Sequence, residues 1–270
     1  MTQPDQPQHR LVREAEFQDE RMAKALQGEE EVRDKFYFIN RRANRTYDAM
    51  HDDLGGKRVV VVGCSDTGVT PLARMGAYAE GIDISQVSID KLRRAIDKEG
   101  LGKFASARVM DAESLDYADA SIDAITCSGV LHHLNTEAAL KSWARCLKPD
   151  GRVLMFEPLA LHPLVAAFRL VTPGMRTPDE HPLRERDFRL MSKYFDRIER
   201  RDFGLFTPIS AAIAVIPGLG WLARFVLPAL ELIDTAVLKV APVLGRFCWL
   251  TVVSLAGPRR EPNPEARESA

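Results

Sequence analysis

The apolar residues of this chain recur with two different spacings, and the two alternate from residue 58 onward. Continuous apolar runs such as RVVVV at 58–62 are typical of strands buried on both faces, and the amphipathic segments between them are typical of helices. Further strands are predicted at YAEGI, SARVM, IDAITC, RVLMF, DRIERRDFGLF and FCWLTVVSL. We therefore expect an α/β fold, a doubly wound, mostly parallel sheet of seven strands with helices on both faces.

The segments on either side of this alternation have a different character. Helix formers in amphipathic spacing at 11–26 and 30–53 predict N-terminal helices, and polar, proline-bearing ends predict disordered tails. The predicted regions are a tail (1–10), an N-terminal helical lid (11–54), an α/β core (55–206), an apolar helical cap (207–246), a final strand (247–257) and a second tail (258–270).

The segment 207–246 is too long for a hairpin and too apolar for an ordinary surface loop. Its prolines predict two or three short helices and interrupt any span of ~20 residues that could cross a membrane. Two interpretations stay open. The segment either enlarges the core, or covers a lipidic substrate or contacts a membrane surface, for which Trp221, Arg224, Phe225 and Lys239 are suited.

The composition of the chain excludes several classes of function. The net charge is −1, so the chain lacks the overall basic field that recruits nucleic acid. Its four cysteines form no C-x-x-C pair and no metal-like group with the histidines, which predicts reduced thiols and no bound metal. The N-terminus carries no apolar signal-peptide region. We expect a cytoplasmic protein without a nucleic-acid partner, and the apolar segment adds peripheral association with the inner face of the membrane as a second location.

The turn GCSDTG after the first strand indicates a ligand site. Gly63 and Gly68 fit the ends of a Walker loop, but Val69 stands where the phosphate-binding lysine belongs. A dinucleotide fingerprint is weakened because Ser65 replaces its middle glycine, which leaves a nucleoside as the third interpretation. Asp83 lies 20 residues beyond Gly63, where a carboxylate accepts hydrogen bonds from ribose hydroxyls, or else simply flanks the next helix.

Four segments together resemble the class I S-adenosylmethionine-dependent methyltransferases, particularly the small-molecule branch with quinone and natural-product enzymes. VVVVGCSDTG resembles the family's glycine-rich first motif, and GIDIS resembles its acidic second motif. VMDAESLDYADASIDAITCSGVLHHL resembles the stretch from the adenine-contacting acid through the fourth strand, and LKPDGRVLMFEP the turn and fifth strand. The resemblance covers about residues 55–158 and implies a Rossmann-like methyltransferase fold with S-adenosyl-L-methionine as cofactor.

Matching the motifs residue by residue implies a cofactor site at the carboxyl ends of the strands. Its residues would be Gly63, Cys64, Ser65, Asp66, Gly68, Asp83, Ile84, Asp111, Ala112 and Ser128. The turn would line the methionine part, Asp83 would hold the ribose, and Asp111 would accept from the adenine amino group. Ser128 would border the sulfonium together with Gly129. Val61 departs from the family, which often has an acid there, and Asp66 would partly replace that acid.

The histidines that follow the fourth strand are candidates for a catalytic base. His132 and His133 in GVLHHL lie where the resemblance implies the reactive methyl group, and histidine titrates near neutral pH. We expect one of them to face the site, with His132 favoured, and the other to be structural. Glu157 would orient a histidine or bind substrate, or is a solvated strand-end acid. His181, in a charged segment that also starts a helix, is the alternative base.

These observations predict a methyltransferase that acts on a small, apolar or lipid-linked acceptor, with O-methylation favoured. A non-catalytic nucleoside-binding or scaffold protein is the first alternative, because the first motif is degenerate. A nicotinamide-dependent reductase is the second alternative.

Overall fold

A computed structural model describes residues 38–64, 66–171 and 180–260, together with residues 13 and 16. The side chains of Asp66, Thr67, Phe168 and Val171 are not described. Several predicted features therefore lie outside the described residues. They are the predicted tail at 1–10, nearly all of the predicted N-terminal helix at 11–26, Ser65 and the end of the chain after residue 260.

Seven strands form one sheet. They are β1 (Arg58–Val62), β2 (Tyr78–Asp83), β3 (Ala105–Val109), β4 (Ile122–Ser128), β5 (Leu147–Pro158), β6 (Phe195–Phe203) and β7 (Leu250–Pro258). Their order is β3-β2-β1-β4-β5-β7-β6, and β7 alone runs antiparallel to its neighbours. The prediction of a doubly wound, mostly parallel sheet of seven strands is confirmed.

Eight α-helices accompany the sheet in the described part of the chain. They are α1 (Arg41–Ala49), α2 (Asp66–Arg74), α3 (Gln86–Glu99), α4 (Thr136–Cys146), α5 (Pro163–Val171), α6 (Glu185–Tyr194), α7 (Pro208–Ala214) and α8 (Gly220–Val240). Short 3-10 helices lie at Phe38–Asn40, Leu131–His133 and Pro242–Phe247. The Ser85 side chain caps α3 by accepting from the Ser88 N–H, a role that serine favours at the start of a helix.

The apolar run of β1 buries both of its sides. Val60 and Val62 belong to one core cluster, which includes Trp143 of α4, whereas Val59 and Val61 belong to a second cluster with residues of α2 and α3. Alternate side chains of a strand point to opposite faces of the sheet, so four consecutive valines contribute to both cores. The helices accordingly form one layer on each face.

The helix α8 is longer than the sequence predicts. We expected the prolines of the apolar segment 207–246 to limit the segment to short helices, yet α8 runs for 21 residues with Pro228 inside it. Proline removes one backbone hydrogen bond and crowds the preceding turn, but the remaining bonds of a long helix can carry it through. Among the helices of the described residues, none is both long and apolar enough to cross a membrane.

The end of the chain differs from the prediction in two places. The last strand begins at Leu250 rather than at 247, because Pro242–Phe247 form a 3-10 helix before it. The predicted tail begins too early at 258. Pro258 completes β7, and the Arg259 N–H donates to the Tyr194 carbonyl at 2.7 Å, which ties this residue to the core.

The helix α1 packs on the sheet and is joined to α8. It contacts β5 and β7, and Tyr47 donates from its hydroxyl to the Cys127 carbonyl at 3.1 Å. At its other end, Arg41 makes a bidentate ion pair with Glu231 of α8 at 2.6 and 2.8 Å. Arg42 donates to the Glu231 carbonyl at 2.8 Å. The α1 helix therefore connects the apolar segment to the end of β4.

Candidate active site

The candidate site lies where the strand order reverses, between β1 and β4. Open parallel sheets bind ligands at the carboxyl ends of the strands beside such a reversal. Gly63 follows β1 with φ +78°, and a Cβ there would lie 2.3 Å from Cγ2 of Val130 in the loop after β4. Glycine is therefore required at this turn, both by the backbone conformation and by the close approach of the neighbouring loop. Gly68 lies in the first turns of α2.

The Asp83 carboxylate fixes the glycine turn against the end of β2. Its Oδ2 accepts from the Cys64 N–H and its Oδ1 accepts from the Ser85 N–H, both at 2.9 Å. The carboxylate thereby bridges the turn after β1 and the start of α3. Ile84 is half-buried directly after it. The predicted ribose-binding acid therefore also has a structural role that the sequence did not indicate.

Two further predicted residues follow β3. Asp111 is half-buried and accepts the Glu113 N–H at 2.8 Å, while Ala112 is buried and its carbonyl accepts from the Trp143 indole at 2.9 Å. Ser128 ends β4 with its side chain exposed, and Gly129 follows with φ +68°. All of these positions lie on the carboxyl edge of the sheet. Ser65 and the Asp66 side chain lie outside the described residues, so their predicted roles remain predictions.

A short, buried polar contact joins Glu157 to His132. Glu157 is fully buried at the end of β5, and its Oε2 lies 2.7 Å from Nδ1 of His132. Its Oε1 accepts the backbone N–H groups of Val130 and Leu131 at 2.9 and 2.8 Å. Burial by itself would raise the pKa of Glu157. The hydrogen bond and charge of His132, together with the two N–H groups, outweigh burial and hold that pKa below its ordinary value.

This contact fixes the tautomer of His132. An ionised carboxylate only accepts hydrogen bonds, so Nδ1 carries a proton, and in the neutral ring the basic nitrogen is then Nε2. The imidazole itself is buried, and its Cε1 lies 3.9 Å from the position of a Cβ at Gly129. The pair therefore presents a basic nitrogen of fixed orientation next to the loop after β4. The interpretation of Glu157 as a solvated strand-end acid is wrong, because β5 carries its side chain into the sheet.

The second histidine and the charged segment before α6 complete a cluster around His132. The ring centroids of His132 and His133 are 4.2 Å apart, and the His133 residue is half-buried. The His181 N–H donates to the His132 carbonyl at 2.8 Å, and its Nε2 lies 3.4 Å from the Thr136 hydroxyl oxygen. All three candidate histidines thus lie in one cluster, and His132 is the one bound to the buried carboxylate Glu157.

Sequence reasoning missed two partners of this cluster. Glu180 lies with Oε1 3.8 Å from Nε2 of His132, and Arg169 of α5 donates to the same carboxylate at 2.7 Å. The position of Glu180 next to His181 was a weak signal, whereas nothing in the sequence connects Arg169 to the histidines. The hydroxyl of Tyr47, which reaches the end of β4 from α1, was equally invisible.

Three side chains of the cluster have the composition of a cation site. One donor atom each of His132, His133 and Glu180 lies within 4.8 Å of the others. The Glu180 carboxylate already faces the guanidinium of Arg169, which supplies a positive charge at that place. The prediction that the protein binds no metal rested on residue spacing, which could not reveal a group assembled from two loops, and it remains a prediction.

Residues 60–155, which include this edge of the sheet, match a protein family described as a methyltransferase domain. The chain contains a class I methyltransferase domain. The family predicted from the four segments is thereby confirmed for this part of the chain. In this methyltransferase domain the matched range extends from β1 into β5, so it contains Asp83, Asp111 and His132, whereas Glu157 and His181 lie beyond it.

Curated relatives agree over the same part. The ubiquinone biosynthesis O-methyltransferase of Neisseria meningitidis serogroup A is 35% identical over 109 residues. That alignment covers 38% of this chain and 44% of the relative, so the chain matches less than half of the relative's length. The similarity supports the methyltransferase domain and says nothing of the apolar segment.

Solved structures of other proteins have a similar fold over most of this chain. Geranyl diphosphate C-methyltransferase from Streptomyces coelicolor A3(2), solved with Mg²⁺, geranyl diphosphate and S-adenosyl-L-homocysteine, is 16% identical with a TM-score of 0.55. It covers 82% of this chain, and 80% of that structure is covered in return. The [4+2]-cyclase SpnF is 20% identical with a TM-score of 0.51, covering 80% of this chain and 82% of its own. At these identities the likeness concerns the fold alone, which hosts more than one chemistry.

Proposed function

We propose that this protein is an S-adenosylmethionine-dependent methyltransferase that methylates an oxygen of a small, apolar or lipid-linked acceptor. The observation that carries the proposal is the pair formed by His132 and the buried Glu157 at the carboxyl edge of a methyltransferase domain. The relative named as a ubiquinone biosynthesis O-methyltransferase supports the choice of oxygen.

The residues at the carboxyl edge of the sheet suit S-adenosylmethionine. The turn at Gly63 brings backbone rather than side chains to the reversal between β1 and β4, where an amino-acid tail can pass. The carboxylates of Asp83 and Asp111, at the ends of β2 and β3, suit the ribose hydroxyls and the adenine amino group respectively. A nucleoside without phosphates needs no cradle of N–H groups, so the absence of the middle glycine is tolerated here.

His132 serves as the general base in this proposal. When bound, S-adenosylmethionine would supply an electrophilic methyl group, and the electron pair of the broken bond would stay on its sulfur. The acceptor oxygen forms the new bond to that carbon, and its proton passes to Nε2 of His132. The negative charge of Glu157 on the opposite nitrogen stabilises the imidazolium that results, in a place from which burial excludes water. Charge and protons balance without a further reactant.

The proposal also covers the acceptor and the location of the protein. We propose an apolar or lipid-linked acceptor that the protein meets as a peripheral protein at the inner face of a membrane. The apolar segment of α7 and α8 supports this, because its side chains suit contact with aliphatic groups and offer few partners to a polar nucleoside.

The test begins with calorimetric titration of the protein with S-adenosylmethionine and its demethylated product. Binding is expected, and Asp83→Ala is expected to weaken it by ~1–3 kcal/mol, since a charged hydrogen-bonding partner is lost. Asp90→Ala, an acid on the outer side of α3 that pairs with Arg93, is the matched control and leaves affinity unchanged. Unchanged affinity in Asp83→Ala, or no binding to the wild type, would contradict the cofactor site.

Turnover with alkyl-substituted phenols then separates an enzyme from a binding protein. Methylated phenol and S-adenosylhomocysteine are expected in equal amounts. Cofactor binding without product from oxygen, nitrogen or carbon acceptors would favour the scaffold alternative. Tight binding of a nicotinamide dinucleotide in place of S-adenosylmethionine would favour the reductase.

A further inference from the structure

The exposed apolar surface of the protein is concentrated in one region. Twelve of the sixteen large hydrophobic side chains that are exposed in the described residues lie within 161–171 and 207–246. These ranges hold α5, α7, α8 and their adjoining turns, and α7 contacts both α5 and α8. The most exposed are Val240 (86%), Leu170 (83%), Phe225 (76%) and Leu232 (71%). A contiguous apolar surface of this kind marks an interaction site.

The helix α8 exposes an apolar side in addition to the side that it buries. Trp221, Phe225, Leu232 and Val240 fall within an arc of about 100° on the helix, at 100° per residue, and this arc faces solvent. The inward side carries both acids of the helix. Glu231 holds Arg41 and Arg42 of α1, and the Asp234 carboxylate accepts the N–H groups of Leu205 and Phe206 at 3.1 and 2.7 Å. The polar bonds therefore fix the apolar side outward.

The charged residues of the apolar segment 207–246 are also divided between its buried and exposed sides. Residues 207–246 contain five residues that are charged at neutral pH. The two acids, Glu231 and Asp234, are buried with partners, while Arg224, Lys239 and Arg246 are exposed. The outward side of the segment thus combines large apolar side chains with positive charge only.

We propose that this surface, formed by α5, α7 and α8 and called here the apolar-basic face, docks on an anionic lipid bilayer. The proposal deepens the peripheral location proposed above by naming the face and the lipid class. Outward Trp and Phe with Lys and Arg on one helix are the composition of helices that lie in the plane of a membrane interface. Pairing with a second copy of the same face would bring Arg224, Lys239 and Arg246 against like charges.

Docking also places the methyltransferase site at a fixed distance from the bilayer. The Arg41–Glu231 pair joins α8 to α1, and Tyr47 of α1 donates to the Cys127 carbonyl in β4. The same strand ends at Ser128, beside the His132 loop. The helix α1 thus sets the position of the site relative to the membrane. A lipid-linked acceptor held in the bilayer would meet the site at that position.

Vesicle sedimentation tests the proposal with the full chain. The wild type is expected to bind vesicles of phosphatidylcholine with phosphatidylglycerol, to bind pure phosphatidylcholine more weakly, and to lose affinity for the anionic vesicles as salt is added. Trp221→Ser combined with Phe225→Ser is expected to weaken binding by about tenfold or more. Lys239→Glu is expected to weaken binding to the anionic vesicles only. Tyr78→Ser is the control, because Tyr78 is also a large side chain, 51% exposed, but lies at the start of β2, outside the apolar-basic face.

Trp221 supplies a second readout. Its emission is expected to shift to shorter wavelength when anionic vesicles are added, and Trp221→Ser is expected to lose that shift, since Trp143 is buried and Trp249 is packed against core residues. Equal binding of the double variant and the wild type, or equal loss in Tyr78→Ser, would overturn the proposal. So would a concentration-dependent dimer in light scattering that the double variant abolishes, which would assign the face to a second copy. Calorimetry with S-adenosylmethionine on the same variants is expected to be unchanged, so failure of docking is distinguishable from failure of the methyltransferase proposal.

Discussion

At the scale of single residues, the orientation of one imidazole decides the proposed chemistry. His132 and His133 are adjacent in sequence, but only His132 has a ring nitrogen bound to the buried Glu157. Because Nδ1 donates to this carboxylate, Nε2 is the basic nitrogen of the neutral ring, and the ring cannot turn without breaking a 2.7 Å bond. His133 lies beside it and makes a poorer candidate.

Substitution of His132 tests this assignment. His132→Ala is expected to lower kcat by ~10²–10⁴, with affinity for S-adenosylmethionine nearly unchanged, because a general base contributes only as the proton moves. His133→Ala is the matched control and should retain most of the turnover.

Wild-type turnover in His132→Ala would contradict the assignment. In that case the same measurement on His181→Ala would decide whether the base is the neighbouring histidine, whose backbone N–H donates to the His132 carbonyl, or whether no base is needed.

At the scale of elements, α8 continues through a proline that the sequence marks as a break. Pro228 is exposed in the middle of the helix and cannot donate to the carbonyl four residues before it. The helix persists because its inward acids and its buried Ala223 and Leu227 hold both halves to the core. Packing thus outweighs the local preference.

The local cost of this proline is measurable. Pro228→Ala is expected to raise the free energy of unfolding by ~1–2 kcal/mol, since a helix-interior proline costs ~3 kcal/mol and part of that gain is lost to a more flexible unfolded chain. Urea unfolding followed by circular dichroism measures the change. Pro242→Ala is the control, because Pro242 begins a 3-10 helix where its missing N–H is not used, and it should change stability little. Destabilisation by Pro228→Ala would show that the proline itself contributes to the packing of α8.

At the scale of the whole molecule, the buried pair of the site links stability to pH. The folded-state pKa of Glu157 is lowered below the ordinary value of 4.5, so folding favours the ionised form. The stability from this group is fully present above the unfolded pKa of about 4.5 and is lost as pH falls through the lower folded pKa. Acid should therefore destabilise the protein partly through Glu157.

Glu157→Gln separates this contribution from others. At pH ~7 the variant is expected to be less stable than the wild type by ~3 kcal/mol, because a buried partner of His132 and of two backbone N–H groups is altered. The difference should narrow as pH falls below ~4.5, measured by urea unfolding at several pH values. Asp116→Asn, at a strongly exposed acid, is the control and should show no such trend. A difference that stays constant with pH would mean that packing rather than charge explains the loss.

The sequence by itself determined what local periodicity and backbone conformation encode. Four consecutive valines predict β1, Ser85 predicts the start of α3, and Gly63 predicts a turn that only glycine can adopt. These signals are visible because each acts within a few residues, through alternation of faces, a single capping bond or a positive φ. The four motifs likewise sufficed to predict the methyltransferase domain and its fold.

Only the tertiary structure decided which distant side chains meet. Glu157 reaches His132 because β4 and β5 pair with Ser128 beside Phe156, a register that the spacing of residues does not specify. Arg169 reaches Glu180, and the acids of α8 turn inward, because other elements supply their partners. A side chain far along the chain carries no local signature of its partner, since the energy of the contact exists only after the sheet has formed. The direction in which α8 faces is therefore a property of the folded molecule, while its apolar composition is a property of the sequence.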